Sequence, residues 1–363
     1  MNGVELPSKL GGLHSRVLRA LLSSFTPTFS APMSRTISQT FDHEFSASTD
    51  HDAEGWAHIR CFPVTRKVAT TASALVFFGS ELAANDEFVE ALEAYPSGVF
   101  MVGETLKLFP SVIQPLLAPI LRIFQLGRKT TLLHVRRLID QRIREKDTGT
   151  VGRGNMAEAP DCVQLFINAY KSNSKEDWSG TKIWPELLGS FLASTIQPTI
   201  TVTNMFENLC KHTEWVALLR EELEHILPRH SASEANDNND VSFSTAEAAA
   251  IESAPLLDAF IKESSRVAPT DTVSTRRVAL KDYTFRDGTR ILAGDIACVP
   301  SKPMMNDETN YLESTTFNPW RFIAQDDKMA AKEATYKQGL RNTGRFTDID
   351  YKYPLWGLGR RVW

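Results

Sequence analysis

Apolar residues recur at helical spacing over most of the first two thirds of the chain. Residues 86–108 and 111–146 place them at positions i, i+3, i+4 and i+7, which is the pattern of amphipathic helices. A short helix is predicted over 162–170 and a long apolar helix over about 184–210. Residues 147–161 have the composition of a loop. This part of the chain is therefore predicted to be mainly helical.

The last third of the chain changes from helices to short strands. Residues 214–227 and 256–266 still have the pattern of amphipathic helices. Residues 273–301 then alternate apolar and polar positions around an Asp-Gly and an Ala-Gly turn, which predicts two or three short antiparallel strands. Residues 302–363 are rich in loop-forming residues. The predicted fold class is mainly α with small antiparallel β-sheets.

The domain organisation is predicted from the length and from one segment of unusual composition. A chain of 363 residues can form one large domain or two smaller ones. Residues 231–254 are small, polar and acidic, so this segment is predicted to be a mobile surface insert. Because no internal repeat is visible, residues 1–363 are interpreted as a single domain that contains this insert.

Composition and charge exclude several classes of function. The chain has 40 Lys+Arg and 44 Asp+Glu residues, whereas a nucleic-acid partner favours a basic excess. Its four cysteines are scattered and form no CxxC pair, which argues against a disulfide framework or structural zinc and favours a reducing compartment. No uninterrupted apolar run reaches the roughly 18 residues of a membrane span. We therefore predict a cytoplasmic chain without a transmembrane segment, a nucleic-acid partner or a metal site of its own side chains.

The candidate chemistry begins with a charged pair on the predicted helix over 256–266. Glu263 and Arg266 are three positions apart, so their side chains can meet on one face of the helix. Taken alone, such a pair is most often a solvated contact worth about 0–1 kcal/mol. Arg321 adds a second guanidinium, which can form bidentate bonds to the same carboxylate. We predict a structural network of these three residues.

Three motifs in a fixed order carry a resemblance to a known family. The Glu-x-x-Arg helix is followed by the strand segment, by Phe-x-Pro-x-Arg-Phe over 317–322 and by Trp-Gly-x-Gly-Arg-Arg over 356–361. This arrangement resembles the C-terminal half of the cytochrome P-450 family, whose members are heme-thiolate monooxygenases, here of a fungal type. The resemblance implies an incomplete cytochrome P-450-like fold, a heme cofactor, a lipophilic small-molecule substrate and a flavoprotein reductase as electron donor.

The terminal loop contains both the strongest match and the main departure from the family. Gly357 and Gly359 would let the backbone approach a flat porphyrin, and Arg361 matches a residue that neutralises a heme propionate. A surface turn is the alternative interpretation. The family's axial cysteine stands two residues after that arginine, where this chain has Trp363, whose indole has no lone pair suited to iron. Thiolate ligation is therefore not expected in this chain as written.

The long helix over 184–210 resembles the family's oxygen-side helix but lacks its usual acid–alcohol pair. Ile196 and Gln197 stand at the corresponding positions. The candidate residues there are Thr195, Gln197 and Thr199. Pro198 removes a backbone hydrogen bond and predicts a local kink. A Pro-containing buried helix without chemistry is an equally good interpretation.

Three weaker matches concern the heme propionates and the substrate. By resemblance, His14 and Arg19 lie on an early helix that faces the propionates, and Arg277 matches a strand arginine that contacts one of them. An ordinary amphipathic helix and a solvated strand charge are the respective alternatives. Residues 267–274 resemble a loop that contacts substrate.

Two functional hypotheses follow. In the first, the chain is a cytochrome P-450-like protein that lacks the family's N-terminal anchor and the region after the heme loop, and it has no monooxygenase activity. Its intact relatives would be anchored on the cytosolic face of the endoplasmic reticulum and would oxidise an apolar terpenoid or polyketide. In the second, the chain is a non-catalytic helical scaffold that binds a lipophilic ligand or a protein partner.

Overall fold

Helices make up most of the chain in the computed structural model. The structure describes residues 17, 26–48, 52, 54–56, 58–147, 160–171, 180–227, 243–324 and 340–357. In chain order, the helices are α1 (Ser30–Ser46), α2 (Cys61–Phe78), α3 (Ser80–Ala83), α4 (Asp86–Lys107), α5 (Gln114–Ile123), α6 (Arg128–Asp147), α7 (Cys162–Lys171), α8 (Gly180–Lys211), α9 (Glu214–Ile226), α10 (Thr245–Glu252), α11 (Pro255–Val267) and α12 (Ser301–Met305). Short 3-10 turns cover Thr26–Phe29, Pro319–Phe322 and Pro354–Trp356. The prediction of a mainly helical fold is confirmed.

The chain divides into two compact units. One consists of Met1–Thr199 with Ala235–Ala246, and the other consists of Ile200–Glu234 with Glu247–Trp363. None of the helices in the described part of the chain is both long enough and apolar enough to cross a membrane.

Aromatic side chains form the centre of the first unit. Phe78 packs edge-to-face on Phe88, with ring centroids 5.3 Å apart, and lies 5.5 Å from Phe191. Phe77 meets Phe191 at 5.7 Å, also edge-to-face. These rings come from α2, α4 and α8, and all four are buried. Such pairs stabilise the core beyond the apolar area that they bury.

The predicted helical segment 111–146 is two helices, α5 and α6. The break lies before Gly127, whose φ of +67° is in the left-handed region that favours glycine. A Cβ at this position would clash with the carbonyl group of Ala91 on α4. The chain therefore turns at a close backbone contact between segments distant in sequence, which the apolar periodicity does not show.

The segment predicted as a mobile insert is partly helical. Residues 231–242 of this segment lie outside the described residues, while 243–254 contain α10. The N–H of Phe243 donates to Ser34 Oγ at 2.8 Å, which anchors the approach to this helix on α1. Alanines make up much of α10 and have the highest helix propensity, which outweighs the small, polar composition of the segment.

Four short strands in the second unit form two antiparallel pairs. Strand β1 (Ser274–Val278) pairs with β4 (Ile296–Val299), and β2 (Tyr283–Thr284) pairs with β3 (Arg290–Ile291). The prediction of short antiparallel strands is therefore confirmed, although this segment contains four strands and not two or three. The β1–β4 ladder shifts register between Ser274 and Arg277. A bulge of this kind redirects side chains relative to a regular strand.

Candidate functional site

Helix α11 carries the charged motif and is fixed at its first turn by a carboxylate from α9. The two oxygens of Glu222 accept hydrogen bonds from the N–H groups of Leu256 and Leu257, both at 2.8 Å. These N–H groups have no partner inside the helix, and the helix dipole favours a negative charge there. Burial nevertheless raises the pKa of Glu222. Since Pro255 occupies the first helical position, the start of α11 is closely defined.

Glu263, Arg266 and Arg321 meet in a buried network. Arg266 Nε and Nη2 donate to the two oxygens of Glu263 at 2.7 and 2.9 Å, and Arg321 Nε donates to Oε1 at 3.0 Å. The N–H of Asn318 donates to the same oxygen at 2.9 Å. The side chains of Glu263 and Arg266 are 0% exposed, and that of Arg321 is 11% exposed.

The remaining guanidinium donors of the network bind backbone carbonyls and the side-chain oxygen of Asn306. Arg266 Nη1 donates to Met305 O at 2.7 Å. Arg321 donates to Leu312 O at 2.9 Å and to Thr316 O at 3.0 Å. The loop between α12 and the 3-10 turn at 319–322 is thus held on α11. These donors and acceptors bond one another, the backbone or the Asn306 side chain, so the network joins this loop to α11 by hydrogen bonds.

A neighbouring stretch of α11 binds a second loop that the sequence analysis missed. Lys262 Nζ donates to Gly344 O at 2.9 Å and to Arg345 O at 3.0 Å, and it lies 4.8 Å from the centroid of the Phe322 ring. Asp258 accepts from the N–H of Phe346 at 2.9 Å. Burial lowers the pKa of Lys262 and raises that of Asp258.

These two residues position the segment that leads to the terminal loop. Tyr353 OH donates back to Lys262 O at 3.2 Å, and Trp356 Nε1 donates to Phe346 O at 2.7 Å. The spacing of Asp258 and Lys262 by four positions was the available sequence signal, because residues so spaced share a helix face.

Strand β1 and the end of the described chain meet at a corner of the second unit. Thr275 has a φ of +47° and Gly357 has a φ of +78°. A Cβ added at Gly357 would stand 3.3 Å from Thr275 Cγ2. Thr275 Oγ1 is buried without a hydrogen-bond partner among the described residues. Arg277 is exposed, and its Nη1 donates to Arg276 O at 2.9 Å.

The loop resembling a substrate-contacting segment, 267–274, lies between α11 and β1. Asn204 Nδ2 of α8 donates to Ala268 O at 2.9 Å, so the start of this loop is tied to that helix. Ser274 Oγ lies 2.6 Å from Ser301 Oγ, which ties its end to α12.

The candidate oxygen-side residues bond their own helix. Thr195 Oγ1 lies 3.3 Å from both Phe191 O and Leu192 O, and Thr199 Oγ1 donates to Thr195 O at 2.7 Å. Both threonines are buried, and Gln197 is half-buried. Such back-bonding is the usual arrangement of threonines in helices.

Helix α8 runs through Pro198, and another helix supplies the missing donor. Pro198 has no N–H for the carbonyl of Ser194, four residues before it. Ser73 Oγ on α2 donates to that carbonyl at 3.1 Å. The carbonyl that Pro198 leaves without a helix donor therefore accepts a hydrogen bond that joins two helices of the first unit.

Comparison with known proteins decides the family. The cytochrome P-450 family model matches residues 14–337. The chain belongs to the cytochrome P-450 family.

Fungal members of the family are among its relatives. The chain is 24% identical over 320 residues to cytochrome P-450 monooxygenase atmQ of Aspergillus flavus, covering 88% of this chain and 55% of that protein. It is 26% identical over 286 residues to the monooxygenase terQ of Tolypocladium album, covering 78% of this chain and 47% of that protein. The chain thus spans about half the length of the curated relatives it matches.

Solved cytochrome P-450 structures share the fold. The crystal structure of CYP102L1 matches with a TM-score of 0.66 and 15% identity, covering 96% of this chain and 70% of that one. The cyanobacterial CYP120A1 with bound retinoic acid matches with a TM-score of 0.61 and 15% identity, covering 96% and 65%.

Membership of the cytochrome P-450 family implies a heme cofactor. Of the residues that the family resemblance assigns to the heme edge, the described ones are Gly357, which has no side chain to obstruct a ring, and Arg277, whose exposed guanidinium is suited to a carboxylate of heme. His14, Arg19, Gly359, Arg361 and Trp363 lie outside the described residues, so their assignments stay predictions.

Proposed function

We propose that this chain has the scaffold of a fungal heme-dependent monooxygenase but does not perform monooxygenase chemistry, because Trp363 stands at the position of the axial cysteine. The observation that carries the first half is the buried network around Glu263, together with the family match over 14–337. The second half rests on the sequence, since an indole offers iron no suitable lone pair.

In this proposal the described residues hold the cofactor's surroundings. The networks on α11 fix the loops at 306–321 and 342–353, and Gly357 and Arg277 would lie against the heme edge together with Gly359 and Arg361. A bound heme with a thiolate ligand would supply oxygen activation. Thr195 and Thr199 donate to helix carbonyls, and Ile196 and Gln197 stand in place of the family's acid and alcohol, so this helix would lack the family's usual proton relay.

The substrate, partner and location follow from the same family. Intact relatives would insert one oxygen atom from dioxygen into a lipophilic small molecule, a terpenoid or polyketide of fungal secondary metabolism. Their electrons would come from a flavoprotein reductase, and they would be anchored on the cytosolic face of the endoplasmic reticulum.

The ferrous–CO difference spectrum tests the proposal that this chain has no thiolate-ligated heme and no monooxygenase activity. The chain is expressed with a heme precursor, reduced and exposed to carbon monoxide. We expect no thiolate-type Soret band and no oxidation of lipophilic substrates with a reductase present. A thiolate-type band from the unaltered chain would contradict the proposal.

A further inference from the structure

Tyr311 contacts the Glu263 network with its aromatic ring. The centroid of the ring lies 5.1 Å from Cζ of Arg266 and 6.0 Å from Cζ of Arg321. Tyr311 is 9% exposed, so these contacts are largely shielded from solvent. A cation over the face of an aromatic ring is attracted by the ring quadrupole, and more strongly where water is excluded. The ring therefore contacts both guanidinium groups that bind Glu263.

The hydroxyl of Tyr311 reaches a different part of the chain. It donates a hydrogen bond to Lys352 O at 3.1 Å. Lys352 lies just before the 3-10 turn at Pro354–Trp356, which leads into the terminal loop. Burial raises the pKa of Tyr311, so its hydroxyl remains a donor at neutral pH. One side chain thus joins the Glu263 network to the segment before the terminal loop.

Tyr353 forms a second link between this segment and α11. Its side chain is buried, and its hydroxyl donates to Lys262 O at 3.2 Å. Phe322 meets both tyrosines edge-to-face, with ring centroids 6.3 Å from Tyr311 and 6.4 Å from Tyr353. Lys262 Nζ lies 4.8 Å from the centroid of Phe322 and 5.3 Å from that of Tyr353. The three rings therefore pack as one cluster between α11 and residues 350–357.

We propose that Tyr311 is a positioning residue that couples the Glu263 network to the terminal loop. This inference rests on the proposed function, in which that loop lies against heme. The hydrogen bonds that Arg266 and Arg321 form with described backbone carbonyls end on residues 305–316. They hold that loop without help from the tyrosine hydroxyl. The hydroxyl adds the contact with Lys352, so the position of the network is passed on to the next segment.

Hydrogen exchange of the full chain tests the ring and the hydroxyl separately. Tyr311→Phe keeps the ring and removes the hydroxyl, and Tyr311→Leu removes both. Tyr351→Phe, which alters an exposed tyrosine of the same segment, is the matched control. We expect Tyr311→Phe to speed exchange over 350–357 about fivefold, the loss of about one hydrogen bond, and to leave 306–318 unchanged. Tyr311→Leu should speed exchange in both segments, and Tyr351→Phe in neither.

Thiolate ligation provides a spectroscopic readout of where the terminal loop lies. In a Trp363→Cys chain with bound heme, reduced and exposed to carbon monoxide, the Soret band reports whether the thiolate reaches iron. Adding Tyr311→Phe should make the thiolate-type band disappear about fivefold faster in mild denaturant. Adding Tyr351→Phe should leave the rate of this loss unchanged.

The outcomes distinguish this inference from the proposed function. Unchanged exchange over 350–357 in Tyr311→Phe would overturn the role of Tyr311. An equal rise of exchange throughout the second unit would also overturn it, since the effect would be a general loss of stability, and so would equal rates of band loss with Tyr311→Phe and Tyr351→Phe. If Trp363→Cys binds heme without a thiolate-type band, the proposed function fails, while hydrogen exchange still decides whether Tyr311 joins the two segments.

Discussion

Two buried polar groups in the second unit differ in the number of hydrogen-bond partners that the chain gives them. The carboxylate of Glu263 receives donors from Arg266, Arg321 and the Asn318 N–H, all at 3.0 Å or less. The hydroxyl of Thr275 is equally hidden from solvent yet receives none among the described residues. Donors supplied by the chain itself make the Glu263 carboxylate a stable junction between loops, whereas an unpaired buried hydroxyl on a strained backbone lowers the stability of the fold.

Removing the charge of Glu263 should have the largest effect on stability. Glu263→Gln leaves two buried guanidinium groups without their anion, so we expect a loss of about 3–5 kcal/mol in the free energy of unfolding. Denaturant unfolding measures it. Glu207→Gln, which breaks an exposed pair with Lys211, is the matched control and should cost under about 1 kcal/mol. A comparable small loss for Glu263→Gln would contradict the structural role.

Glu186 has a buried carboxyl group, and its effect on the stability of the fold should depend on pH. Burial raises its pKa to about 7, so the folded state favours the protonated form. Its contribution to stability is present below the unfolded-state pKa and is lost as the pH rises through 7. Between pH 5 and 8 the free energy of unfolding of the unaltered chain should fall by about 2 kcal/mol more than that of Glu186→Gln. If the free energies of unfolding of the two proteins change in parallel with pH, the pKa of Glu186 is not raised.

Lys262 holds a second loop, residues 340–357, and this contact can be tested separately from the Glu263 network. Lys262→Met removes the donor to the Gly344 carbonyl and one of the two donors to the Arg345 carbonyl, and we expect a loss of about 2 kcal/mol in the free energy of unfolding. Hydrogen exchange should increase over 340–357, while the loop held by Arg321 should keep its protection. Lys281→Met, an exposed substitution, is the control. An equal rise of hydrogen exchange in both loops would mean that Lys262 does not hold residues 340–357 specifically.

The smallest expected effect concerns Ser73 and Pro198 in the first unit. Ser73→Ala removes the donor to Ser194 O and should cost about 1 kcal/mol. In a Pro198→Ala background the helix regains its own N–H, so the same substitution should cost less. A double-mutant cycle measures this coupling. Additive effects would mean that Ser73 does not replace the donor lost at Pro198.

Much of this arrangement could be predicted where a sequence pattern has a fixed spatial meaning. Helical periodicity predicted most helices, and the spacing of Glu263 and Arg266 predicted the contact that the structure shows. The break before Gly127 could not be predicted, because it depends on the backbone of α4. In the sequence, Lys262 looks like any lysine on an amphipathic helix. Its partners, Phe322 and the carbonyls of residues 344 and 345, approach it only in the folded chain. The φ of Thr275 likewise depends on contacts formed only in the fold.

The most direct test of the central claim is restoration of the axial cysteine. Trp363→Cys is expressed with a heme precursor, and its ferrous–CO difference spectrum is compared with those of the unaltered chain and Val362→Cys, which places the thiol one position earlier. The account predicts a thiolate-type Soret band for Trp363→Cys alone. A band in the unaltered chain, or no band in Trp363→Cys when heme is bound, would contradict it.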